Sequence, residues 1–239
     1  FSRFSEFNEF ERIYGIDKDP DVVNKAILAN KDKSRFDFRV FDVESDGFSN
    51  FARNLDPSFQ DGVDFVFCAL LLSHLDDPGK LINKIKALVK PGGVAVFRGS
   101  DDGTKICYPN PDRLLEKITK LTKRLPGISD RENARKLYKE LVGAKFSNIE
   151  TLYDVRDTVS MSTEERSDFF YKSFSYRSRY IDLALNQGYA VPSESELRKA
   201  LSDLEDLFSE PSFYYMEMSY VFIASVDSAS IRTTTEVST

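Results

Sequence analysis

The sequence predicts an α/β fold: an open sheet of mainly parallel strands, an antiparallel last strand, and a helical insertion just before that strand. Three stretches of the 239 residues carry this reading. Residues 61–98 read as strand, helix, strand with short connections. Residues 11–41 have the same order. Residues 146–226 set two well-signalled helices between two β-rich runs.

In chain order, residues 1–7 read as the inside of an amphipathic helix, with Phe4 and Phe7 on one side. Residues 11–17 form a strand ending in Asp17. Asp19 then caps a helix with Pro20 in its first turn and Val22, Val23, Ala26 and Ile27 along it. Residues 36–41 alternate as a strand and lead into Asp42 and Val43. Residues 63–72 are an apolar, β-rich run between Asp61-Gly62 and Asp76-Asp77-Pro78, the pattern of a strand buried on both faces. Leu81, Ile82, Ile85, Leu88 and Val89 mark one face of a helix, Pro91-Gly92-Gly93 stops it, and Val94 opens the next strand. A strand–helix–strand unit with connections this short implies parallel strands and a right-handed crossover.

Residues 100–127 turn polar and then give one amphipathic helix, 112–125. Its apolar face holds Leu114, Leu115, Ile118 and Leu121, and its opposite face Arg113, Lys117, Lys120 and Arg124. Ser129 with Glu132 reads as a capping box opening a helix that Gly143 closes. Residues 146–153 form the next strand. In the insertion, 160–211, Ser162 with Glu165 and Ser193 with Glu196 are further capping boxes. The first of these helices, 163–187, is crowded with rings, and the second carries Leu197, Ala200, Leu201, Leu204, Leu207 and Phe208. Residues 213–226 close the sheet, antiparallel to 146–153. One domain, 1–226, is expected, with residues 227–239 a Ser/Thr-rich disordered tail.

Composition is that of a globular chain, 41% hydrophobic and 30% charged. No apolar run is long enough to span a bilayer. The net charge of −6 gives no general attraction to nucleic acid, and Arg113, Lys117, Lys120 and Arg124 read as a solvated helix face. Two cysteines, Cys68 and Cys107, and a single histidine make neither a disulfide framework nor a zinc site, so a reducing cytoplasm and no metal are expected.

Several segments together resemble one family. Lys90-Pro91-Gly92-Gly93-Val94 follows a strand and Leu72-Ser73-His74-Leu75-Asp76-Asp77, and Leu141-Val142-Gly143-Ala144-Lys145-Phe146 enters the later strand. This arrangement is similar to the class I, Rossmann-like S-adenosylmethionine-dependent methyltransferases. The resemblance implies methyl transfer from S-adenosylmethionine to an acceptor. No substrate signature names that acceptor, and a small molecule is the default for an acidic chain of this size. In such a protein Asp17, with Lys18 beside it, would hold the ribose hydroxyls of the cofactor. Asp42, with Val43, would take the adenine amino group, although Asp42 also reads as an ordinary turn residue. Ala69, Leu70 and Leu71 would line the methionine and sulfonium side. His74 stands where open α/β sheets place ligands, either as a general base or as a residue orienting its loop. Tyr171, Tyr176 and Arg177 are candidate acceptor contacts, on the expectation that the helix 163–187 covers the acceptor site.

The glycine-rich loop of that family is not found. Residue 1 reads as lying just past it, so the sheet is expected to lack its first strand, as in an N-terminally truncated member. Two other functions fit the same architecture. A nucleotide-dependent oxidoreductase could use Asp17, but the one Tyr-x-x-x-Lys spacing, Tyr14 to Lys18, lies on a strand where it could not act. A non-catalytic domain could instead sense S-adenosylmethionine or bind a partner inside a larger regulator.

Overall fold

A computed structural model describes residues 10–227, apart from Pro126 and Pro192. The expected N-terminal helix lies outside the described residues, as does the expected tail beyond Asp227. The first strand and helix, β1 (Ile13–Asp17) and α1 (Pro20–Ala29), meet at Asp19, whose carboxylate accepts the Asp21 N–H at 2.8 Å. β2 (Phe36–Val40) lies parallel to β1, with Asp17 opposite Val40. After α2 (Phe48–Arg53) come β3 (Val63–Ala69), α3 (Pro78–Leu88) and β4 (Val89–Ser100), and β3 and β4 are parallel. Leu81, Ile82, Ile85 and Leu88 are buried, as their spacing requires.

The Lys90–Gly93 turn is taken into β4 as a bulge: the register moves from Val63 opposite Val89 to Phe65 opposite Val94. Gly92 has φ 83°, and a Cβ on Gly93 would come within 2.7 Å of Val89 Cγ1, so neither position admits a side chain without strain. One expectation needs correction here. β3 is not buried on both faces: Phe67 is 41% exposed, and Phe65 and Val66 are half-buried. Among the described residues no strand pairs with the edge of β3 that faces away from β4, nor with the edge of β1 that faces away from β2, so the sheet is in two pieces. Tyr14 of β1 is tied to the larger piece by its hydroxyl, which donates to Asp56 at 2.7 Å, and by its ring, edge-on to Phe59.

A short strand, β5 (Ile106–Tyr108), appears in the stretch read as polar loop. α4 (Leu114–Thr122) is shorter than expected, because Asp112 and Arg113 are left-handed. The Ser129–Glu132 capping box does not form. Asp130 accepts the Glu132 N–H instead (3.1 Å), the Glu132 carboxylate pairs with Lys123 (2.9 Å), and a 3₁₀ turn precedes α5 (Leu137–Gly143). β6 (Ser147–Asp157) follows. The Ser162–Glu165 box does form, at the start of α6 (Thr163–Phe174). The single helix expected over 163–187 is broken, and α7 (Tyr176–Asn186) begins after Ser175. The Ser173 carbonyl, needed by the helical ladder, accepts instead from the Arg177 side chain at 2.9 Å. Ser193 is left-handed and caps nothing, so the second expected box is absent before α8 (Glu194–Ser209).

β7 (Tyr214–Ser225) is the spine of the molecule, antiparallel to β4, β5 and β6. Its second half, with Phe222 and Ala224, joins the core of β3, α3, β4 and α5. Its first three residues pair with β5, and Tyr215 joins Phe169, Phe174 and Phe208 in the core of the insertion.

Between the two cores lies a buried group of charges. The Asp102 side chain, just past β4, is fully shielded from solvent. Its carboxylate accepts from Arg177 Nη2 at 2.9 Å and Tyr176 Oη at 3.3 Å, and it faces Lys105 Nζ at 3.3 Å and Arg131 Nη2 at 3.5 Å. Arg177, equally buried, also donates to Thr122 Oγ1 at 2.8 Å and lies over the Phe174 and Tyr176 rings. Glu217 of β7 faces Lys105 at 3.4 Å and accepts from the Tyr215 hydroxyl at 2.9 Å. Burial opposes ionisation of Asp102, but Lys105, Arg177 and Arg131 outweigh it and hold the carboxyl at about 2.

Removing that charge strands cations in the interior. Asp102→Asn is expected to cost about 3–5 kcal/mol, seen as a lower urea midpoint at unchanged slope. Because the folded carboxyl titrates below its ordinary 3.8, its contribution is complete above that pH and disappears as the pH falls toward 2. The Asn variant should therefore lose less stability than the parent between pH 4 and pH 2. A midpoint unchanged at neutral pH would show that the cluster does not hold the two cores together.

Candidate active site

The C-terminal ends of the parallel strands β1, β2, β3 and β4 bring most of the sequence-predicted site residues to one side of the sheet. At the end of β1, Asp17 accepts the Asp19 N–H through Oδ1 at 2.9 Å, and its own carbonyl accepts the Phe41 N–H at 2.9 Å. Just past β2, Asp42 accepts the Glu44 N–H through Oδ1, also at 2.9 Å. Each carboxylate is thus oriented by the backbone two residues ahead, and each remains exposed. Lys18 is exposed beside Asp17, while Val43 is partly buried against the main core.

β3 ends at Ala69, and the chain turns at Leu70, whose φ is 57°. A left-handed Leu is strained by roughly 1–2 kcal/mol. Here its N–H is held by the Arg98 carbonyl at 2.8 Å while its side chain stays 44% exposed. Strain persisting in an exposed apolar residue at the end of a parallel strand suits a ligand-facing turn. Leu71 is half-buried against the core, and Leu72 to His74 form a 3₁₀ turn. The Asp130 N–H donates to the Ser73 carbonyl at 2.8 Å, which lays the 129–133 segment over this turn. Partial burial, then the charges of Arg131 and Lys18, push the His74 pKa below 6.5.

Of the candidate acceptor contacts, Tyr176 and Arg177 meet at Asp102, next to the end of β4, whereas Tyr171 is 65% exposed on α6. Arg177 is engaged with Asp102, Thr122 and Ser173. Sequence reasoning missed Asp102, Lys105 and Arg131. The signal available for Asp102 was an acidic pair, Asp101-Asp102, directly after a parallel strand. Lys105 and Arg131 gave none, because only the tertiary fold brings them to that carboxylate.

Residues 2–97 match a family described as a methyltransferase domain. A comparison with curated proteins gives no match. Among solved structures, a methyltransferase candidate from Bacillus halodurans is similar over 94% of this chain and 86% of its own, with TM-score 0.52 and 13% identity. The YcgJ protein of Bacillus subtilis is similar over 91% of this chain and 83% of its own, with TM-score 0.52 and 13% identity. Phosphoethanolamine N-methyltransferase 2 of Haemonchus contortus, solved with S-adenosyl-L-methionine, is similar over 95% of this chain but only 46% of its own, with TM-score 0.50 and 14% identity. At such identities the likeness is one of fold. The family match thus covers residues 2–97, and the parallel pairs β1–β2 and β3–β4 with the antiparallel β7 give the chain the fold of the Rossmann-like methyltransferases.

Proposed function

We propose that this chain transfers the methyl group of S-adenosylmethionine to a small-molecule acceptor. The observation that carries the reading is the pair of exposed, backbone-oriented carboxylates at the adjacent ends of β1 and β2, together with the strained turn at Leu70 that ends β3. That donor set suits the cofactor: Asp17 accepts from the two ribose hydroxyls with Lys18 beside it, and Asp42 accepts from the adenine amino group with Val43 against the ring. Ala69, Leu70 and Leu71 give an apolar wall on the methionine side. Bound there, S-adenosylmethionine supplies a methyl group made electrophilic by the sulfonium. The residues of the chain contribute binding, alignment and exclusion of water. His74, kept neutral near pH 7 by its lowered pKa, can take a proton from an acceptor. Tyr176, braced on Asp102, and Tyr171 belong to the acceptor side, whereas Arg177, expected there, is fully buried on Asp102, Thr122 and Ser173 and holds α7 rather than an acceptor. The net charge of −6 favours a small molecule over nucleic acid, and no described helix is long and apolar enough to cross a membrane. Two cysteines, both free, fit a reducing compartment such as the cytoplasm.

The test is incubation with S-adenosylmethionine labelled in the methyl group, followed by separation of small molecules from macromolecules in a cell extract. Label entering the small-molecule fraction supports the proposal. Tight cofactor binding with no transfer to any fraction would favour the non-catalytic sensor.

Two further outcomes follow from the site. Asp17→Ala should weaken S-adenosylmethionine binding by about 1.5–3 kcal/mol, because charged hydrogen bonds to two hydroxyls are lost. Asp42→Ala should cost less, and calorimetry showing equal affinity for parent and Asp17→Ala would remove the ribose assignment. His74 is the only histidine, so its ring protons give one NMR titration. The midpoint should lie below 6.5 and rise in Lys18→Ala, which removes a repelling charge. A midpoint at or above 6.5 in the parent would contradict the described electrostatics.

A further inference from the structure

A loop that reads the adenine ring has to be held still, and a single side chain spans from α3 to the loop that follows β2. Lys84 Nζ donates to three successive backbone carbonyls, those of Val43 at 3.2 Å, Glu44 at 3.0 Å and Ser45 at 2.7 Å. These bonds use all the donors of an ammonium group. The same loop holds Asp42: its carboxylate accepts the Glu44 N–H at 2.9 Å and its carbonyl accepts the Ser45 N–H at 3.1 Å. The residues that orient Asp42 are therefore those whose carbonyls rest on Lys84. Between the loop and α3 lies a recess of about 200 Å³ bordered by Glu44, Asp77 and Lys84, so this contact is made by the ammonium group and not by close packing. Lys84 is partly buried, in line with Leu81 and Leu88, and makes no salt bridge with a carboxylate among the described residues. With its ammonium hydrogens on three backbone carbonyls, and with Asp46 near enough to feel its charge but not hydrogen-bonded to it, Lys84 has the loop as its evident task.

We propose that Lys84 is a positioning residue for purine selection: it fixes the loop so that Asp42 is placed to accept the adenine amino group. This rests on the cofactor reading given above. The test is calorimetric titration of the chain with S-adenosylhomocysteine and with S-inosylhomocysteine, whose purine carries a carbonyl where adenine has its amino group. The parent should prefer the adenine compound by about tenfold or more, corresponding to a single charge-assisted hydrogen bond. Lys84→Met should weaken that compound by about tenfold and bring the preference close to unity. Lys84→Arg, which keeps a cation with several N–H donors, should restore most of it. A role in stability alone would weaken both compounds equally, and that result, or a full preference in Lys84→Met, overturns the proposal. Asp42→Ala separates the two levels of the argument. If it keeps the preference, the adenine assignment itself fails; if it loses the preference while Lys84→Met does not, only the role of Lys84 fails. Should circular dichroism show that Lys84→Met is unfolded, Lys84→Gln, able to donate two of the three bonds, carries the same comparison and should fall between parent and Arg variant on one side and Asp42→Ala on the other. No binding by the parent chain contradicts the cofactor reading and this proposal together.

Discussion

A carboxylate taken out of water at the end of β4 stays ionised only if cations follow it into the interior, and the arrangement of the helical insertion depends on this constraint. Asp102 draws Lys105 from the turn after β4, Arg131 from the segment laid over the His74 turn, and Arg177 from α7. These groups come from three separate parts of the chain. Their convergence fixes where the insertion sits against the sheet, since α7 cannot shift without taking the buried Arg177 away from Asp102. The break between α6 and α7 belongs to the same arrangement: Arg177 takes the Ser173 carbonyl that an unbroken helix would have used.

The cluster also bears on the chemistry. Arg131 acts on both sides, reaching Asp102 and adding, after burial and with Lys18, to what lowers the His74 pKa. The insertion is thereby linked to the loop that carries the single imidazole, at the side of the sheet where the parallel strands end. In the proposed function, the cofactor and acceptor sides divide along that line. The ends of β1, β2 and β3 present carboxylates and an apolar turn, while the end of β4 meets the ring-rich helices. The core of the insertion sets a cluster of rings among leucines of α4 and α8, with Phe208 making edge or tilted contacts to Phe169, Phe170, Phe174, Phe213 and Tyr215.

Features set by local pattern were legible in the sequence. The Asp19-Pro20 start of α1, the apolar face of α3, the Ser162 capping box and the β-rich run of β7 each depend on neighbouring residues, and each formed. Features decided by competition were not. Ser129 and Ser193 stand three residues before a Glu, as in a capping box, yet Glu132 is drawn to Lys123 and Ser193 is left-handed. β5 is polar in context and becomes a strand only because the start of β7 offers it an edge. Near the site, the strand end at Asp17 was readable from the apolar pattern, whereas the run read as 63–72 ends as a strand at Ala69, where Leu70 turns left-handed. Lys84 was readable in principle, since it falls between Leu81 and Leu88 on the inward flank of an amphipathic helix, where a lysine needs a reason to be.

The central claim is that the cofactor lies across the ends of β1, β2 and β3. Amide chemical-shift mapping of the chain during titration with S-adenosylhomocysteine tests it most directly. The account predicts the largest shifts at Asp17, Lys18, Asp42, Val43 and residues 69–71, with smaller ones near His74. Shifts confined to α6, α7 and α8, or spread evenly with no maximum at the strand ends, would contradict it.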